Sequence, residues 1–183
     1  MPSDRVHVVD YRPEWAAMFQ MERERIMAAL GDILPGIEHI GSTSVPGLAA
    51  KPVIDMMPGF ACVEAFDATD GIAIMQGMGY IYVDRYNDIM PFRRYFVLEG
   101  DNPEHPRDHL VHVHMVAAGG DFWTSHVAFR EYLRAHPDEM KRYGDFKQQI
   151  APQFASTFDY ADAKGEFVRG MVEKAVAWYS RQG

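Results

Sequence analysis

Apolar and polar positions change period several times along the chain, and each change marks an element. Val6 to Val9 is a short β-branched run that predicts a strand. Trp15, Met18, Phe19, Ile26 and Leu30 then recur near helical spacing, with Pro13 tolerated in a first turn and Gly31 ending the run, so a helix is predicted. The segments "GIEHIGS" and "KPVIDMMPG" are short, apolar and bounded by Gly and Pro, which predicts two strands joined by a loop over 43–50. A second helical stretch follows Cys62 and ends near "GMGY". Further strands are predicted at "YIYVD", "RRYFVLE" and, most cleanly, "HLVHVHMV", while "EGDNPEHPRD" reads as loop. From Asp121 the pattern is helical to the end. The expected fold is α/β (α+β), a mixed sheet flanked by helices with a helical C-terminal third. No repeat, low-complexity run or linker interrupts it, so one domain over 1–183 is expected.

Composition narrows the function classes. The chain has 183 residues, 48% of them hydrophobic, enough for one substantial core. Acidic residues outnumber basic ones 26 to 18, so the mean field repels polyanions and bulk nucleic-acid binding is not expected, although a local basic patch can hold a small anion. The single cysteine, Cys62, cannot form an internal disulfide and is expected to be inert and partly buried. The opening "MPSDRVHVVDY" has neither a cationic head nor a long apolar run, and charge or proline breaks every long apolar stretch. A cytoplasmic protein without membrane contact is the expectation. Ser42 and Ser44 lack a nucleophile-elbow motif and Cys62 has no histidine near it in sequence, so serine or cysteine hydrolase chemistry is not expected.

Chemistry concentrates in "HIGSTSVPGLAAKPVIDMM", residues 39–57. Strand alternation puts Val53, Asp55 and Met57 on one side and Ile54 and Met56 on the other. A carboxylate taken out of water needs compensation, and a divalent cation would supply it. Gly41, Ser42 and Thr43 suit phosphate oxygens, since glycine permits close backbone approach and exposed N–H and hydroxyl groups bind anions. Lys51 would add a positive charge. The competing reading has Ser42 and Thr43 shaping a turn and Asp55 pairing with an arginine; spacing leaves both open.

His112 and His114 share a strand face with Leu110 and Val116, while His109, Val111, Val113 and Met115 take the other. A His-x-His pair is a compact chelate that suits Zn²⁺, Mn²⁺ or Fe²⁺ better than Mg²⁺, and with Asp55 it makes a set of two histidines and one carboxylate. Its competitor is a pair of hydrogen-bonded structural histidines. Of Arg93 and Arg94, on opposite faces of one strand, one meets the cleft, and Arg94 is assigned as that anion contact. The cations of the C-terminal third read as a solvated face by their helical spacing. The aromatic residues Phe122, Trp123, Phe129, Tyr132 and Tyr143 read as core.

The sequence "EHIGSTSVPGLAAKPVIDMM", followed in order by "HVHMV", "AFREYLRAHPDEMKRYGDFKQQIA" and "YADAKGEF", resembles the GrpB family over nearly the whole chain. The resemblance implies a nucleotidyltransferase-like fold in which a Gly-Ser pair, here Gly41 and Ser42, holds a triphosphate. Asp55 then takes the place of the first metal acid and the catalytic residue. Arg130, Lys147 and Lys164 fall in family-like segments and are expected as further phosphate contacts. The ligand implied is a nucleotide or related phosphate ester, with a divalent cation, Mg²⁺ or Mn²⁺ ahead of Zn²⁺. Family members fused to a dephospho-coenzyme A kinase imply a coenzyme A link. One departure stands out: the superfamily places a second carboxylate two residues after the first, and here that residue is Met57, a thioether with no affinity for a hard cation. The alternatives are therefore a nucleotide-binding module without catalysis, and a metal-dependent hydrolase built on His112, His114 and Asp55.

Overall fold

The structure, a computed structural model, describes residues 5–100 and 109–182. Helix α1 (Glu14–Leu30) leads into strand β1 (Gly36–Ile40), a single 3-10 turn over Ser42–Ser44, and strand β2 (Ile54–Phe60). Helices α2 (Val63–Asp67) and α3 (Gly71–Gly77) precede β3 (Ile81–Tyr82), β4 (Arg93–Leu98) and β5 (Val111–Ala117). Helices α4 (Asp121–Ala135), α5 (Pro137–Ile150), α6 (Thr157–Ala163) and α7 (Gly165–Tyr179) complete the chain. The strands lie in the order β1-β2-β5-β4-β3; β2 and β5 are parallel and the other neighbours antiparallel. This is a mixed α/β fold with a five-stranded mixed sheet and a helical C-terminal region, as expected. Among the described residues no helix is long and apolar enough to cross a membrane.

Local readings fail where tertiary or side-chain bonds compete with periodicity. Val6 to Val9 is not a strand: Val9 alone bridges to Ala50, and Val6 donates its N–H to Phe154 and packs with Ala151 and Tyr160. The stretch after Cys62 breaks into two helices because Thr69 Oγ1 donates to the Phe66 carbonyl and accepts from the Gly71 N–H, offering the backbone an alternative to a continuous helix. Cys62 is exposed rather than partly buried. The predicted loop "EGDNPEHPRD" lies mostly outside the described residues, which exclude 101–108.

Alternation along the strands sorts the sheet into two faces. On one, Ile54 and Met56 of β2, Phe96 of β4, and Val111, Val113 and Met115 of β5 pack against Ile26 and Leu30 of α1, Phe66 of α2 and Met75 of α3. On the other, Ile40, Met57 and Val116 meet Val127 of α4, with Phe122 and Trp123 alongside. A third cluster joins Tyr132, Leu133, Tyr143, Met171 and Ala175 of the C-terminal helices to Val45 and Leu48. The loop after β1 is thereby pinned between sheet and helices, which holds its Gly-Ser-Thr turn in place.

Phe96 has 0% of its surface exposed and its ring lies 6.3 Å from Phe66 and 4.9 Å from Tyr82. Phe96→Ala lowers unfolding free energy by about 3–5 kcal/mol through lost burial and an unfilled cavity, read as a lower urea midpoint with unchanged slope.

Candidate functional site

The parallel register sets Asp55 of β2 opposite His112 of β5, and β4 sets Tyr95 opposite His114. Asp55, His112 and His114 consequently share one face. His112 Nδ1 lies 3.2 Å and His114 Nε2 3.7 Å from Asp55 Oδ1, and one ligand atom from each of the three falls within 4.8 Å of the others. His109, which alternation assigns to the opposite face, also joins: its Nδ1 is 3.0 Å from His112 Nε2. It precedes the first residue of β5, so strand alternation does not govern it.

Donor accounting fixes where the protons sit. Arg93 Nη1 donates to His114 Nδ1 at 3.1 Å, and since a guanidinium only donates, that nitrogen carries no hydrogen. The neutral His114 ring then directs Nε2–H at Asp55. His112 Nδ1–H donates to the same carboxylate oxygen, and His112 Nε2 accepts from His109. Burial alone would raise the Asp55 pKa; the hydrogen bond from His112 and the neighbouring His114 ring outweigh it and hold the group well below the usual carboxylate range. Burial pushes His114 down to about 4 against the pull of Asp55, so near neutral pH the carboxylate is charged and this imidazole is not.

A metal ligand needs a bare imidazole nitrogen. His112 provides one by reversing its bond with His109, which leaves Nδ1 free toward Asp55. His114 provides one only if Arg93, stacked 4.7 Å from the centre of the Tyr95 ring, withdraws. Asp55 and His112 therefore fit a divalent cation directly, and His114 conditionally.

Beside this cluster lies a cavity of about 420 Å³. Ser42, Lys51, Lys147 and Lys164 line it together with Asp55, His109 and His112. Lys147, on α5, is 2% exposed; it donates to Ser42 Oγ at 2.8 Å and to the Ala49 carbonyl, and its Nζ lies 4.4 Å from the centre of the Tyr143 ring. Lys164 Nζ lies 4.6 Å from the centre of the Tyr160 ring. Burial lowers the pKa of both amines, and neither has a carboxylate partner among the described residues. Gly41 has φ +71°, and a Cβ there would overlap the Asp55 carboxylate, so glycine alone admits this approach of turn and acid.

Other expected contacts are placed elsewhere. Arg94 lies on the opposite sheet face and holds Asp67 through Nε and Nη2, at 2.9 and 2.5 Å, while Arg93 takes the Asp55 side. Thr43 borders the cavity, but its hydroxyl donates to the Val53 carbonyl at 3.2 Å and sits 3.1 Å from His39 Nε2, a turn-shaping role. Arg130 is tied to Glu38 at 2.5 Å and Glu131 at 2.7 Å and lines a second, smaller cavity instead. Arg93 takes the place assigned to Arg94, and His109 and Tyr160 join the site without a signal in the sequence. Tyr160 is 4% exposed, lines the larger cavity, and its Oη has no hydrogen-bond partner among the described residues.

The family described as GrpB protein matches residues 5–174. The chain is 35% identical over 178 residues to the UPF0157 protein YqkA of Bacillus subtilis, covering 97% of this chain and 49% of that protein, so it spans about half the length of that relative. The crystal structure of the conserved protein GrpB from Enterococcus faecalis superposes with a TM-score of 0.80 at 31% identity, over 94% of this chain and 99% of that one. A more distant relative, dephospho-CoA kinase of Mycolicibacterium paratuberculosis, is 27% identical over 197 residues, covering 97% of this chain and 48% of that protein.

Two outcomes follow from this geometry. Burial also pushes His39, stacked on Phe19, down to about 4. His39 and His114 thus bind protons more weakly folded than unfolded, where histidine titrates near about 6.5, so stability falls as pH drops from about 6.5 to about 4. Melting curves in chelator across that window show the loss, and His39→Gln shows a shallower one. Arg93→Met removes the donor that keeps His114 from a cation, so Mn²⁺ titration by calorimetry gives an affinity at least several-fold above wild type.

Proposed function

The chain belongs to the GrpB family, and we propose that its cavity of about 420 Å³ binds a nucleoside triphosphate or related phosphate ester together with a divalent cation, and that from the triphosphate a nucleotidyl group passes to an acceptor with release of pyrophosphate. The observation that carries this reading is the pair of amines, buried Lys147 and half-buried Lys164, that line that cavity together with the charged Asp55 and have no acidic partner among the described residues. Cations in such a position are costly until an anion arrives. In a chain of net charge −8, this is a local reversal of the overall field. Ser42 offers its hydroxyl to phosphate oxygens in the larger cavity, while Gly41 lines only the smaller one, and the unpartnered Tyr160 hydroxyl offers another donor. Asp55 and His112 hold the cation; their mixed oxygen and nitrogen donors suit Mn²⁺ better than Mg²⁺. The cation, when bound, offsets phosphate charge as in other phosphoryl chemistry. The lysines fix the phosphates, and Arg93 governs whether His114 takes part.

One observation favours the module without catalysis. Met57, at the position of the second acid, is 0% exposed and packs with Ile40, Val116 and Val127, so no second carboxylate stands beside Asp55 on β2. The hydrolase reading is weaker, because the Arg93 bond opposes His114 as a ligand. The dephospho-CoA kinase relative makes dephospho-coenzyme A a rational member of any ligand panel.

Thermal-shift measurements with the four ribonucleoside triphosphates and dephospho-coenzyme A, each with Mn²⁺ or Mg²⁺, test the reading. A ligand at a hundred times its Kd adds about 2.7 kcal/mol, a rise of several degrees for a chain of this size. Asp55→Asn and Lys147→Met, both near-isosteric, abolish most of that rise. No rise with any ligand would overturn the proposal, and binding without pyrophosphate release would assign the chain to the module.

A further inference from the structure

Asp55, Ser42 and Lys164 belong to two cavities at once. Besides the larger one they line, with Gly41, a second cavity of about 290 Å³. Its other walls are different in character. Val45, Phe129, Leu133, Val168 and Val172 make it apolar, and Ser125, His126 and Tyr143 add isolated polar groups. Arg130 also reaches it, with its charge already matched by Glu38 and Glu131.

His126 gives this cavity a directional feature. Its Nδ1 lies 2.7 Å from the Phe122 carbonyl, which can only accept, so Nδ1 holds the hydrogen and Nε2 is a bare acceptor. Phe122 stacks on the ring at 4.0 Å between centres and fixes its orientation. No hydrogen-bond partner of Nε2 exists among the described residues. Burial lowers the pKa of His126, which keeps the acceptor bare near neutral pH.

We propose that the smaller cavity is a second substrate site, shaped for a neutral small molecule with an apolar body and one hydroxyl, whose O–H donates to His126 Nε2 beside Asp55. The apolar walls favour an apolar body, and the groups whose charge is not already matched, Asp55 and Lys164, are those shared with the larger cavity. The hydroxyl follows from the lone acceptor: a site built to receive a hydrogen bond rejects analogues that cannot donate one. Calling the occupant a co-substrate rests on the nucleotide reading above; the cavity and its hydroxyl preference do not.

Phenethyl alcohol and its methyl ether, which cannot donate, are suitable probes for saturation-transfer NMR on the full chain. Wild type binds the alcohol at least fivefold more tightly than the ether. His126→Phe keeps the apolar walls and loses the preference. Val172→Trp fills the cavity and loses the alcohol altogether, while circular dichroism reports that it remains folded. Absence of alcohol binding in wild type, equal binding of the ether, or binding unchanged in folded Val172→Trp overturns the proposal. The nucleotide arm is separate: Val172→Trp retains whatever nucleotide-induced melting shift wild type shows. A wild type that binds alcohol and no nucleotide therefore refutes the earlier reading and leaves the hydroxyl site standing.

Discussion

A negative charge in the middle of a sheet strand has to be answered at the distance of a hydrogen bond, and Asp55 sets that requirement for everything around it. From the parallel neighbour β5, the His112 N–H answers it by a hydrogen bond and the His114 ring faces the same oxygen at 3.7 Å. Arg93, from the next strand, answers indirectly by fixing which nitrogen of His114 carries the hydrogen. The first turn after β1 can approach only because residue 41 has no side chain. Strand order, register, one arginine and one glycine are thus constrained by a single carboxylate. Loss of the His112 bond leaves part of that charge uncompensated, whereas a side chain at residue 41 would clash with the carboxylate.

The acid and the amines come from different layers. The sheet supplies Asp55, His112 and His114; the C-terminal helical third supplies Lys147 on α5 and Lys164 between α6 and α7. The two layers are joined through the loop after β1, where Val45 and Leu48 enter the helical cluster and Lys147 holds the Ala49 carbonyl and the Ser42 hydroxyl. The amine is therefore a structural tie as well as a charge. Movement of the C-terminal helices relative to the sheet would change the spacing between cations and acid directly.

Much of the sheet chemistry was legible in the sequence because a period of two is unambiguous once a strand is recognised: Asp55 with Met57, and His112 with His114, sort themselves. Alternation separates Arg93 from Arg94 but carries no label saying which face holds the acid, and the assignment of Arg94 to the cleft failed for that reason. His109 escaped because it stands before the first paired residue, where alternation no longer applies. Lys147 was legible only through family resemblance. At helical spacing among charges of both signs it looks like any solvated lysine, and its burial arises from packing of α5 on the loop over 43–50, a contact between distant parts of the chain. Val6 to Val9 has the composition of a strand, but Val9 makes a single bridge to Ala50, and Val6 and Val8 pack with Ala151, Phe154 and Tyr160 of the C-terminal third instead.

Met57 carries a consequence for what this scaffold can become. Its side chain is walled in by Ile40, Val116 and Val127 with no opening to water, so exchanging it for aspartate would not simply restore a pair of acids; it would drive a charge into a hydrocarbon nest. Passage between one-acid and two-acid chemistry in such a protein would require several neighbours to be rebuilt together. The packed thioether thus closes a one-step route to a second carboxylate at this position.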